Sequence, residues 1–139
     1  MPVTIARTDA EIAACAAVMR QLRPHVPADE FVARVRLQQV QGYTLVSLVH
    51  EEAVVAVTGF RILENLYSGR VLYVDDLVTD EAHRSGGFGG VLFDWLVEEA
   101  RRLKCQTLEL DSGVQRFDAH RFYLTRRMVI ASHHFRLPL

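Results

Sequence analysis

Along the 139 residues the spacing of apolar positions changes several times, and each change marks an element. Val3–Arg7 alternates like a short strand. "TDAEIAACAAVMRQL" then carries its apolar residues at helical spacing, with Thr8 or Asp9 as N-cap and Glu11 in the first turn, until Pro24 and Pro27 break it. Ala28–Val40 predicts a second helix whose apolar side holds Phe31 and Val35, with Leu37 and Val40 beside them, and Gly42 ends it. Three runs rich in Val, Leu and aromatic residues follow, Tyr43–His50, Ala53–Leu63 and Arg70–Thr79; the joints "HEEA" and "ENLYSG" are short enough for antiparallel hairpins. Val91, Leu92, Trp95, Leu96, Ala100 and Leu103 return to helical spacing, with Glu98 four residues before Arg102. "QTLELDS" reads as a strand, "FDAHRFYLTRR" as a short helix and "MVIASHHFRLPL" as one or two closing strands. The order β-α-α-β-β-β-α-β-α-β(β) is that of an α/β chain, antiparallel first and with a strand–helix–strand crossover later.

Composition narrows the class. The length is that of one domain, 1–139, with no internal repeat, linker or low-complexity segment. No apolar run reaches the ~20 residues of a membrane span, and the N-terminus lacks the basic-then-apolar layout of a signal peptide. A cytoplasmic protein without a membrane partner is expected. Cys15 and Cys105 stand among apolar neighbours and read as small buried side chains. Net charge is −1, which argues against nucleic acid, but the charge is unevenly placed: residues 75–111 carry −5 and residues 116–139 carry +4. The histidines suggest no metal site. His133 and His134 are adjacent and point opposite ways on a strand, and His120 reads as a surface residue.

One stretch carries more chemistry than the rest. "RSGGFGG", Arg84–Gly90, concentrates glycine where a strand hands over to a helix. Amides at a helix start lack helical partners and lie at the positive end of the dipole, and glycines let an anion approach the backbone closely. A Walker A loop needs a lysine that is absent here. A dinucleotide fingerprint needs a third glycine where Leu92 stands. The pattern that fits is Arg-x-x-Gly-x-Gly, as Arg84-Ser85-Gly86-Gly87-Phe88-Gly89, after "YVDDLVTDEAH".

With that motif the sequence resembles the GCN5-related N-acetyltransferase (GNAT) superfamily, at motif level from about Val71 to the C-terminus and by element order before it. The resemblance implies a single GNAT-type domain: an α/β fold with a mixed, mostly antiparallel central sheet of six to seven strands and about four flanking helices. It implies acetyl-CoA as co-substrate, its pyrophosphate on Arg84, Ser85, Gly86, Gly87, Phe88, Gly89 and Gly90. The pantetheine arm would lie along a bulged strand at Leu77 and Val78, with an N–H near Val78 as donor to the acyl carbonyl. "RFDAHRFYLTRRM" aligns Ala119, Phe122 and Tyr123 with the family's acid-bearing helix, so Tyr123 is the expected proton donor to the leaving thiolate. Arg116 stands where the family commonly has Asn, and Arg127 where Gly is usual. Asp75 and Asp76 are the candidates for general base. Strand alternation sends them to opposite faces unless a bulge intervenes, and a water relay would need neither.

The implied activity is transfer of an acetyl group to a primary amine of a small molecule or peptide, by direct attack on the thioester. The acceptor is expected among the first two helices, the joint Glu64–Gly69 and the loop Ser112–Phe117. The acidic middle of the chain favours a cationic acceptor and the basic tail favours the opposite. The alternative is a CoA-binding sensor or partner-binding module with little catalysis, suggested by the Arg116 and Arg127 departures. A homodimer is expected from the edge that short closing strands leave open.

Overall fold

A computed structural model describes residues Pro2–Leu139. It resolves into two compact units, one ending at Glu109 and one spanning Leu110–Leu139. Five strands form one sheet in chain order: β1 (Val3–Ile5), β2 (Thr44–His50), β3 (Ala53–Asn65), β4 (Gly69–Thr79) and β5 (Thr107–Leu110). The first four pair antiparallel. Between β2 and β3 the chain turns on Glu51 and Glu52, both at positive φ (51° and 66°), the backbone of a tight hairpin turn.

Helices α1 (Asp9–Ala13), α2 (Ala16–Leu22) and α3 (Phe31–Gln39) precede the long strands, and α4 (Phe88–Arg102) connects β4 to β5. Thr8 caps α1 in a reciprocal box: its hydroxyl accepts from the Glu11 N–H, and the Glu11 carboxylate accepts from the Thr8 N–H. Ile12, Cys15, Val18, Met19, Phe31 and Val35 from the helices bury with Tyr43, Leu45, Val57 and Val78 from the strands on one sheet face. The other face receives α4, where Trp95 meets Phe60 edge-on with ring centroids 6.0 Å apart.

The chain ends α3, α4 and α5 (Phe117–Thr125) in the same way. In each, one residue takes a left-handed conformation and the next amide reaches back five residues: Tyr43 N–H to the Gln38 carbonyl, Cys105 to Ala100, and Met128 to Tyr123. The left-handed residues are Gly42, Lys104 and Arg127. These are Schellman ends, and only the first has the glycine that favours them.

The secondary structure departs from expectation in two places. The helix expected over 8–22 is divided at Ala14–Cys15, where the Cys15 N–H bonds to the Ile12 carbonyl, a tighter 3₁₀-type step. The segment 128–139 forms neither of its expected closing strands, so the described residues hold five strands instead of six or seven. With five α-helices and the 3₁₀ turns Ala28–Glu30 and Glu81–Gly86, they also exceed the expected four helices. Alternation alone predicts a strand's pleat but supplies no ladder partner, and a strand exists only with one.

Candidate active site

Strand β4 leads through the turn Glu81–Gly86 into α4, so the glycine stretch stands where strand becomes helix. Gly87 is the N-cap at φ 75°, and no side chain caps the helix. The first intrahelical bond runs from Val91 N–H to the Gly87 carbonyl, so the amides of Phe88, Gly89 and Gly90 have no partner within the helix. A Cβ on Gly87 would meet nothing within 4 Å, so the space beside this N-cap residue is open. Arg84, Ser85 and Gly86 are exposed around this opening. The Phe88 ring is buried, 4.9 Å from the His50 ring and 6.1 Å from that of His83. Phe88 therefore offers an anion only its N–H. These residues fit a diphosphate: uncapped amides, a dipole end, an adjacent arginine and glycine-lined space.

Up-strand of the loop, β4 carries a bulge. Asp76 is opposite Gly59 and Val74 is opposite Phe60, so Asp75 is the extra, unpaired residue. The bulge cancels the alternation that would separate the two aspartates and turns both carboxylates to the face covered by α1–α3. There Asp76 Oδ1 accepts from Arg23 Nε at 2.9 Å, and Asp76 Oδ2 accepts from the Tyr43 hydroxyl at 2.7 Å. Asp75 Oδ2 accepts from Arg61 Nε at 2.9 Å, and Arg23 also donates to the Asp75 backbone carbonyl at 2.9 Å. The Arg61 guanidinium lies over the Tyr43 ring, 5.4 Å from its centroid, and donates to Gln38.

Within this cluster the two carboxylates differ. Both oxygens of Asp76 are engaged. Asp75 Oδ1 is buried and has no hydrogen-bond partner. Burial pushes the Asp75 carboxyl above the ordinary carboxylate value, against the pull of Arg61. The Tyr43 phenol is driven well above its usual value, first by burial and then by the Asp76 charge, so it stays a donor.

Leu77 and Val78 continue β4 toward the loop, opposite Thr58 and Val57 of β3, with the Val78 side chain in the core.

Tyr123 lies on α5, in the unit Leu110–Leu139. Burial raises its phenol above the usual value, opposed by the Arg116 guanidinium beside it. Arg116, the residue that departs from the family pattern, thus neighbours the expected acid. Arg127 departs as well, yet it takes a left-handed backbone at φ 66°. His120 bonds the Gly113 carbonyl through Nε2 at 2.8 Å, and His134 Nδ1 is 3.5 Å from Asp111 Oδ2. Among the described residues no three His, Cys, Asp or Glu side chains assemble as a metal-ligand set, and no helix is long and apolar enough to cross a membrane.

The sequence reading missed Arg23, Tyr43 and Arg61. Arg61 had left a signal, a charge inside the apolar run "TGFRIL" that requires a partner if the strand is buried. Arg23 before Pro24 and Tyr43 at a strand start looked like ordinary boundary residues.

Comparison with known proteins gives this geometry a family. The model of the acetyltransferase (GNAT) family matches residues 5–127, which span both units. An uncharacterized N-acetyltransferase of Bacillus subtilis (strain 168), YhdJ, is 33% identical over 124 residues, covering 88% of this chain and 87% of the relative. Among solved structures, a ribosomal-protein-alanine N-acetyltransferase from Brucella melitensis biovar Abortus 2308 superposes with a TM-score of 0.84 at 16% identity over 100% of both chains. The aminoglycoside N-acetyltransferase AAC(6')-Iy, in complex with CoA, does so at 0.84 with 10% identity, over 99% of this chain and 95% of that one. These two likenesses concern the fold. The family match and the Bacillus relative establish more: this chain belongs to the GNAT family of acetyltransferases.

Proposed function

We propose that the protein transfers an acetyl group from acetyl-CoA to a primary amine, with the diphosphate held by Arg84, Ser85 and the amides of Gly86–Gly90. The observation that carries the reading is the start of α4, where Gly87 caps the helix without a side-chain bond and the amides of Phe88, Gly89 and Gly90 have no partner in the helix, directly after β4. Acetyl-CoA supplies the acyl group in activated thioester form. Asp75, whose proton affinity burial raises, takes the proton of the acceptor amine through a water relay, because its Oδ1 is buried. Asp76, with Arg23 and Tyr43 on its two oxygens, fixes the bulge instead of acting as base. A backbone N–H near Val78 polarises the acyl carbonyl. Tyr123 Oη holds the proton that a departing thiolate requires, and its raised affinity keeps that proton in place at neutral pH.

The sensor alternative loses its basis. Its support was Arg116 and Arg127, and the first neighbours Tyr123 while the second accommodates the left-handed turn. The two units, on this reading, make one cytoplasmic transferase domain. A homodimer belongs to the same reading, because Val129, Ile130, Phe135 and Leu137 are exposed on a segment that forms no strand; sedimentation tests it.

The deciding experiment is calorimetric titration of acetyl-CoA, followed by thiol release over a panel of amines, with Gly87→Val as control. Binding and turnover in the native protein, with binding lost in Gly87→Val, are expected. A native protein that does not bind acetyl-CoA overturns the reading.

A further inference from the structure

The last residues of the chain bear on how two copies meet, and this assignment rests on the homodimer of the reading above. Along 129–137 the side chains alternate. Val129, Ala131, Phe135 and Leu137 fall on one face with His133, while Ser132, His134 and Arg136 fall on the other with Ile130. That is the period of a strand with one apolar face. Yet the segment 128–139 forms no strand, and Val129, Ile130, Phe135 and Leu137 are between 77% and 91% exposed. Apolar side chains gathered on one face and left in water mark a surface that meets another protein. His134 stands 3.5 Å from Asp111 within one chain, but it belongs to the polar face and covers none of the apolar one.

The sheet supplies the complementary half. β5 ends the strand order, bonded to β4 on one side and to no strand on the other among the described residues. Such an edge offers backbone donors and acceptors to an added strand. The two faces of β5 also match the segment. Leu108 and Leu110 are half-buried on one face, Thr107 and Glu109 are exposed on the other, and exposed Asp111 follows in the same alternation. A strand laid along this edge sets its apolar face beside Leu108 and Leu110. Its polar face, with His134 and Arg136, then lies beside Glu109 and Asp111, so pleat and charge agree.

We propose that two copies of the chain exchange these segments: residues 129–137 of each copy add as a strand to the outer edge of β5 of the other. A second copy is the occupant because each chain carries both halves. Under a two-fold axis both edges and both segments are filled at once and the assembly closes. A foreign partner would fill one half and leave the other in water. Within one chain the exit from α5 is fixed by the left-handed Arg127 and by the bond from the Met128 N–H to the Tyr123 carbonyl, and the segment beyond it gains no ladder.

Sedimentation and photo-cross-linking test it together. The native chain is expected to sediment as a dimer. With the photoreactive benzoylphenylalanine in place of Phe135, irradiation should join two chains into a covalent dimer, and digestion should find the link on a peptide spanning 107–112. Ser132→Pro/His133→Pro removes two adjacent backbone donors, one of which a ladder through this segment needs. Because these residues form no strand within one chain, the variant should keep the native circular-dichroism spectrum. It should sediment as a monomer at concentrations where the native chain and Ser132→Ala/His133→Ala are dimeric. If the proline variant loses its fold, the cross-link decides alone.

A dimer whose links fall outside β5, links formed only within one chain, or a dimer unmoved by the folded proline variant would each overturn the exchange while leaving the homodimer standing. A native chain that sediments as a monomer would overturn the homodimer and the exchange with it.

Discussion

Tyr43 occupies the place of a side chain that Gly59 does not have. A Cβ at position 59 would lie 1.8 Å from the Tyr43 hydroxyl oxygen and 2.1 Å from Cζ. That same hydroxyl donates to Asp76, the residue paired with Gly59 across the bulge. Gly59→Ala therefore has to expel the ring and break a bond to a carboxylate, at a combined cost of about 3 kcal/mol or more. Tyr43→Phe keeps the ring and strands Asp76 Oδ2, at about 2 kcal/mol. The two effects are coupled: in a Tyr43→Ala background, Gly59→Ala should cost far less than alone. Chemical denaturation of the four proteins measures this cycle. Additive costs would show that the ring does not depend on the glycine.

The pair also shows how much was legible in sequence. The glycine loop, the strand before it and the helix after it could be read because their residues are contiguous and the anion chemistry is written in local backbone. Tyr43, Gly59 and Asp76 are three strands' worth of sequence, and no local period connects them. The bulge was foreseen only as an exception to alternation. What it accomplishes, turning Asp75 and Asp76 to one face, depends on where β3 pairs with β4. Helix ends show the same limit. Gly42 announced itself, whereas Lys104 and Arg127 took left-handed turns that their own chemistry disfavours, because the packing of the preceding helix fixed where the chain had to leave.

Those two turns yield a stability prediction. A non-glycine residue in the left-handed region costs about 1–2 kcal/mol, and glycine returns part of this as unfolded-state entropy. Lys104→Gly and Arg127→Gly should each stabilise the protein by about 1 kcal/mol, seen as a higher melting temperature. Gly42→Ala, at φ 91°, should lose a comparable amount although nothing lies within 4 Å of its missing Cβ. Unchanged melting in all three would refute the strain argument.

Alkaline pH should destabilise the core through Cys15. Its side chain is fully buried, and burial pushes the thiol from 9.0 up to about 11, Ser47 opposing. The folded state thus keeps a proton that the unfolded chain releases above pH 9. Stability from this group is complete below that pH and is lost as pH climbs toward 11, by about 2–3 kcal/mol in all. Tyr43, raised above its ordinary 10.0, adds loss in the same direction at higher pH. Urea unfolding at about pH 8 and about pH 11 should show the drop, smaller by about 2–3 kcal/mol in Cys15→Ala. An equal drop in both proteins would place the alkaline sensitivity elsewhere.

Tyr123 and Arg116 make the last prediction one about chemistry. The phenol is pushed up by burial and held back by the guanidinium beside it. If Tyr123 supplies the leaving sulfur's proton, Tyr123→Phe should lower kcat by roughly 10²–10⁴-fold, the range of a general acid. Its acetyl-CoA affinity should stay near native, since the proposed function places the cofactor's diphosphate at Arg84–Gly90. Removing the guanidinium with Arg116→Met leaves burial unopposed, so the phenol should rise further. The alkaline limb of kcat, where the acid loses its proton, should then move to higher pH. Arg116→Lys, which restores a cation, should move it back. A full rate in Tyr123→Phe would remove the phenol from the reaction. A lowered rate with an alkaline limb indifferent to Arg116 would leave Tyr123 needed, but would assign the titrating proton to another group.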